Sequence, residues 1–273
     1  MQPNSTRRSA LAVLVVIGAL VASAGSSSDD EDATTTTSGA ATTEAAADAP
    51  KVVVSTTWVG AIAKMAGATD ITVIAPSNIQ HPPDYDPKAS DLAALSDADY
   101  VVLAGFEGFA DRMTEAAGSD AEVLTITPDY APDKVAAEVD KLAEAWGTTE
   151  VADENVEHYT EHYEEDSAAL QETTSKEPQV VVAQAFVAEW ADFAGYTVAG
   201  TFGPEPITPS QVAELTALSP TLLFENSHMP AGAEVAASSG ATLVELVNFP
   251  GDDLDLVPVL DINAESITEA LAG

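Results

Sequence analysis

Residues 155–175 read NVEHYTEHYEEDSAALQETTS, a stretch with neither glycine nor proline. Val156, Tyr159, Tyr163 and Leu170 recur in it at helical spacing with acids between them, the pattern of one long helix with a single apolar stripe. What lies on either side decides its role. Upstream, short β-branched runs alternate with helical patterns: strands at 52–54, 71–75, 101–103 and 123–126, helices at 58–66, 90–95, 109–117 and 134–146. Downstream the alternation restarts, with strands at 180–182, 197–198, 222–224 and 243–244 and helices at 187–194, 209–218, 231–238 and 265–271. Strand followed by helix, repeated, specifies parallel layering. The sequence therefore predicts an α/β protein of two lobes, each a mainly parallel sheet flanked by helices, joined by one long rigid helix. The N-terminal lobe is expected at 51–150, the linking helix at 151–177 and the C-terminal lobe at 178–273. Ligands bind such sheets beyond the carboxyl ends of the strands, so the loops that follow strands are where functional side chains belong.

The first fifty residues are of another kind. No acid occurs in the first 28, which run from Thr6-Arg7-Arg8 through an apolar stretch, 10–22, to Ser23-Ala24-Gly25-Ser26. That order is an export signal or, uncleaved, an N-terminal anchor over 1–26, and Arg7-Arg8 suits a twin-arginine route as well as the general one. Residues 27–50 are mostly Ser, Thr, Ala and acid with no large apolar side chain, so they read as a disordered acidic tether. The formal charge is −36, from 9 basic and 45 acidic residues, the acids spread through every segment after the first 28 residues and not gathered in one tail. A nucleic-acid partner is excluded by that charge. It fits a halophilic surface, because high salt screens the self-repulsion. With no cysteine, any metal ligand must be imidazole, carboxylate, amide or water. No nucleophile elbow, phosphate-cradling glycine loop or acid with an adjacent base occurs, so the chain reads as a binding protein and not as an enzyme.

The most informative loop follows the second predicted strand: Gln80-His81-Pro82-Pro83-Asp84-Tyr85-Asp86-Pro87-Lys88-Ala89-Ser90-Asp91-Leu92. Here the chain resembles the metal-binding solute-binding proteins of ABC importers, the zinc and manganese uptake group, whose loop reads His-x-Tyr-(Glu/Asp)-Pro-x-x-Ser-Asp-Leu. The resemblance extends through 94–102, through Gly105-Phe106-Glu107-Gly108-Phe109, and in the second half through 203–210 and Leu223-Phe224-Glu225. It implies two lobes on a rigid helix with a metal held between them by His and carboxylate ligands. It also implies an importer permease as partner, a place outside the cytoplasmic membrane, and a monomer.

The family's first histidine falls on Pro83, and His81 serves only if the Pro82-Pro83 insertion bulges the loop. Its second-lobe histidine falls on Gln184, eleven residues before Gly195. Its carboxylate falls on Glu225, and its final aspartate near Val247-Asn248, where Asp252 or Asp253 could replace it. His228 compensates, since a turn after Glu225 lets both face the cleft. His81, Glu225 and His228 then make a two-His, one-carboxylate set suited to zinc or manganese, completed by Gln184 or water. Trp58 and Tyr85 are expected along the cleft, Trp58 either as a wall or as lobe packing. Glu107 either lines the cleft or caps the helix at Phe109. His158 and His162, at i, i+4 spacing, offer a helix-surface metal pair on a segment whose family counterpart is structural. Other cargo consistent with the missing histidines is a metal chelate, a siderophore or a cobalamin. A surface adhesion protein is the reading from another class.

Overall fold

The computed structural model describes residues 50–176 and 178–272. The expected leader at 1–26 and all but the last residue of the expected tether at 27–50 lie outside them. Among the described residues no helix is long and apolar enough to cross a membrane.

Eight strands form two sheets of the same topology. β1 (Lys51–Val54), β2 (Asp70–Val73), β3 (Tyr100–Leu103) and β4 (Glu122–Thr125) make the first, in the order β2-β1-β3-β4, with every pair parallel. The second contains β5 (Val181–Gln184), β6 (Val198–Phe202), β7 (Leu222–Asn226) and β8 (Thr242–Leu246), ordered β6-β5-β7-β8 and again parallel throughout. Residues of the central strands, such as Val52 to Val54 and Val181 to Gln184, are buried on both faces, which is why those runs are continuous and not alternating. Edge strands β2 and β4 are largely exposed and carry the polar residues that edges require. The crossover direction reverses beside β1 and again beside β5, so crevices open beyond the carboxyl ends of β1 and β3 and of β5 and β7.

Helices α1 (Thr57–Met65), α2 (Ala89–Ala93), α3 (Ala110–Ala116) and α4 (Pro132–Trp146) cover the first sheet. Local chemistry sets their ends. Thr56 Oγ1 accepts the Val59 N–H at the start of α1, while α4 begins on a proline and stops at Gly147, whose φ of 73° is the left-handed conformation glycine tolerates. Next comes α5 (Thr149–Thr174), the long linking helix, which starts two residues before the expected 151. Tertiary contacts hold its first turns, because Ala152 is buried and Asn155 donates to the Met65 carbonyl at 2.9 Å.

The second sheet is flanked by α6 (Glu189–Phe193), α7 (Pro209–Ala217), α8 (Ala233–Ser239) and α9 (Val257–Ala272). The last of these begins eight residues earlier than predicted. Pro258 ends nothing there, since a first-turn residue has no intrahelical use for an N–H, and Val259 and Leu260 bury its apolar face. One buried cluster runs through both lobes, from Val54, Trp58 and Tyr130 to Val181, Trp190 and Phe249. Smaller clusters lie on the outer side of each sheet, around Leu95 and Phe109 in one and Val212 and Leu215 in the other. A shared apolar core of this kind resists rigid-body separation of the lobes.

Beside that shared core stands a partly buried acid. At the start of α6, burial pushes the Glu189 carboxyl up from 4.5 to about 7, with Asp129 adding to the rise while its own N–H and Lys134 oppose it. A raised carboxyl binds its proton more tightly when folded. Its contribution to stability is therefore full below 4.5 and is lost as pH rises through about 7. Glu189→Gln is expected to flatten this part of the profile: melting curves between pH 4.5 and 7 should show the wild type losing ground against the variant as pH rises. Parallel profiles for the two proteins would contradict this assignment.

Candidate functional site

The facing ends of the two sheets meet in a seam built of rings. Trp58 of α1 stacks on Tyr130 with centroids 5.1 Å apart, and Tyr130 packs on Trp190 of α6 at 5.0 Å. Phe249, beyond β8, meets Trp58 at 5.8 Å and His228 at 5.0 Å, both edge to face. Polar contacts close the seam at its margins. Tyr130 donates to the Asn248 carbonyl at 2.8 Å, Gln80 Nε2 to the Ser227 carbonyl at 2.8 Å, and Ser77 Oγ to Asp252 Oδ1 at 2.6 Å.

Both candidate histidines stand at this seam, one from each lobe. His228, in the loop after β7, donates from Nδ1 to the Gln80 carbonyl at 3.2 Å; a carbonyl only accepts, so the proton is on Nδ1. Its Nε2 is buried and has no hydrogen-bond partner. Burial lowers the pKa of His228, the nearby His81 lowers it further, and the Gln80 contact only partly opposes them. The ring is therefore held as a neutral imidazole with a bare lone pair, the form that ligates metals. His81, in the loop after β2, pairs through Nδ1 with Asp84 Oδ2 at 2.8 Å, and that leaves its Nε2 as the outward nitrogen. A carboxylate behind a ring nitrogen fixes tautomer and orientation in the same way. The Pro82–Asp84 turn that follows His81 is a short 3₁₀ segment.

Other candidates have different surroundings. The carboxylate of Glu225 turns to the start of α8, where Oε2 accepts N–H groups of Ala231 at 2.9 Å and Gly232 at 2.7 Å. These donors are the otherwise unpaired amides of a helix start, which attract a carboxylate strongly. Gly232 is required for the approach, since a Cβ there would stand 2.3 Å from Leu223 and 3.2 Å from Glu225 Oε2. For this reason the donor atoms of His81, Glu225 and His228 do not gather within 4.8 Å of one another as a set of three. Gln184, wholly buried at the end of β5, is occupied at both ends: Oε1 accepts the Asn226 N–H at 2.8 Å and Nε2 donates to the Met229 carbonyl at 3.1 Å.

Glu107 is buried beyond β3, where Oε1 accepts from the Ser55 hydroxyl and from the Ala104 N–H at 3.1 Å, and Oε2 is unpartnered. It bridges the crevice between β1 and β3 and does not cap α3, which has no side-chain cap. Tyr85 donates to Asp91 Oδ2 at 2.8 Å and packs edge-on to Phe109 at 6.2 Å, within the first lobe's outer cluster. One residue passed over as a ligand is Asn248. Its Nδ2 donates to the Phe186 carbonyl at 2.7 Å, while its Oδ1 is buried without a partner. The only sequence signal for it was its place opposite the family's last aspartate.

A family model described as "ZnuA: Zinc-uptake complex component A periplasmic" matches residues 52–270. No curated protein sequence matches the chain. Among solved structures, the Mn-bound periplasmic metal binding protein from Candidatus Liberibacter asiaticus superposes with a TM-score of 0.62 at 15% identity, covering 81% of this chain and 99% of that one. The Cd-bound form of that protein gives 0.60 at 16% over 81% and 99%. A ZnuA deletion mutant with zinc bound gives 0.61 at 21%, covering 82% and 98%. At such identities these likenesses establish the fold, and the family rests on the matched span: the chain belongs to the ZnuA family, the periplasmic component A of zinc-uptake complexes.

Proposed function

We propose that the chain is the exported solute-binding component of an ABC importer and captures a divalent transition metal, zinc or manganese, at the seam between its lobes. The observation that carries this is the His228 ring: proton fixed on Nδ1, neutral at physiological pH, and Nε2 buried with no partner. Leaving a buried polar atom unsatisfied costs about 1–3 kcal/mol unless something binds there. His81 supplies a second imidazole from the opposite lobe, and Asn248 Oδ1 an unpartnered oxygen. Two imidazoles favour zinc, whereas the amide oxygen also accepts the harder manganese. Glu225 and Gln184 support the loop by holding the chain after β7 to β5 and α8. The ring-filled seam suits a bare ion better than a chelate or a cobalamin. The permease is the partner that would receive the ion.

Elemental analysis of freshly purified protein tests this. Bound zinc or manganese, removable by chelator and restored by the metal alone, is the expected result. A coloured iron or cobalt chelate would replace the ion reading with the chelate one, and adhesion to a cell-surface protein without any bound metal would replace both.

A further inference from the structure

A second constellation lies on the linking helix, away from the seam. His162 and Asp166 stand one turn apart on α5 and meet Asp261 of α9. His162 Nε2 is 3.3 Å from Asp166 Oδ2 and 3.4 Å from Asp261 Oδ1. Among the described residues, this is the group of His, Asp and Glu side chains whose donor atoms all lie within 4.8 Å of one another. The i, i+4 partner expected for His162 was His158; the structure supplies carboxylates instead, one of them from a helix distant in sequence.

Ion pairing is a poor account of this geometry. The one hydrogen that Nε2 can carry would be shared between the two carboxylates as a weak three-centre bond. A charge-assisted N–H to carboxylate bond closes to about 2.7–2.9 Å, well inside both observed separations. Asp166 Oδ2 is buried and has no hydrogen-bond partner despite its proximity to the ring. Coordination fits the spacing better. Nitrogen and oxygen ligands about 2.0–2.1 Å from a zinc ion at tetrahedral angles stand about 3.3 Å apart.

We propose that His162, Asp166 and Asp261 form a second divalent-cation site of the zinc class, separate from the interlobe seam, that pins the linking helix α5 to the terminal helix α9. One imidazole and two carboxylates are a donor set that zinc accepts, and a fourth position is left for water. A groove of about 450 Å³ between the two helices, lined by Asp166, Leu170, Asp261 and Glu265, adjoins the two carboxylates. Since α9 also packs against β8, an ion here ties the connecting helix to the second lobe. The role is structural, because the site draws on no residue of the first lobe.

The test uses the full chain, stripped by chelator and titrated with zinc chloride in high salt. Excess magnesium suppresses diffuse binding to surface carboxylates, and bound zinc is counted after gel filtration. His162→Ala and Asp261→Ala are each expected to lower the count by one ion per chain, in the wild type and equally in a His228→Ala background. Asp261 is exposed, so Asp261→Ala keeps its fold even if His162→Ala does not. A wild-type count in folded Asp261→Ala, or displacement of this ion by magnesium, would leave an ion pair only and overturn the proposal. Failure of the seam reading has another signature, namely a count that His228→Ala does not change.

Discussion

Trp190→Ala is expected to lose about 3–5 kcal/mol of stability, the usual cost of removing a buried indole, and to melt roughly 6–20 °C below the wild type. Trp190 is 1% exposed and lies where the core of one lobe becomes that of the other, 5.0 Å from Tyr130 and 5.3 Å from Phe193. Truncation opens a cavity at the seam that backbone held by two sheets cannot collapse to fill. The indole N–H has no partner, so one cost already present in the wild type disappears with it. Trp190→Phe therefore separates the two effects: it keeps most of the packing, deletes the unpaired N–H and should lose far less. Thermal unfolding in matched high salt measures both. A melting temperature for Trp190→Ala within a degree or two of the wild type would mean that the lobes do not depend on a common core.

His228→Ala is expected to weaken zinc or manganese binding at the seam at least tenfold, about 1.4 kcal/mol, as for the loss of one ligand from a preorganised set. The ring is oriented before any ion arrives, by the Gln80 carbonyl on one nitrogen and the Phe249 ring set perpendicular to it. Competition with a chromogenic chelator measures the change, and circular dichroism checks that the fold is kept. The same affinity in variant and wild type would remove His228 from the site. The expected loss is in affinity more than in stability, because alanine removes an unpaired buried nitrogen along with the ring.

Much of the architecture is legible in the residues because each element announces itself locally. Continuous Val and Leu runs mark strands buried on both faces, and Thr56, Pro132 and Gly147 mark helix ends. Ends fixed by distant partners are not visible in this way. The first turns of α5 depend on Met65, ninety residues away, and those of α9 on burial against the second sheet. Ligand candidates divide similarly. The loop of His81 was found through its motif, and His228 through its place after a buried strand. Glu225 has the same sequence credentials, yet the amides of Ala231 and Gly232 claim its carboxylate. Asn248 has only its place opposite the family's last aspartate to mark it in the sequence, and the unpartnered oxygen is what distinguishes it in the fold.

By itself, the sequence determined two parallel α/β lobes on a linking helix, an anion-rich surface and the restriction of any metal donors to nitrogen and oxygen. Hydrophobic period, turn chemistry and composition are properties of neighbouring residues, which the chain states directly. Tertiary structure decided which side chains share a space: the rings that fill the seam, the neutral state of His228, the diversion of Glu225 and the meeting of His162 with Asp261. Those outcomes depend on burial and on the orientation of groups far apart in the chain, which are fixed only when both sheets and the helices between them have packed.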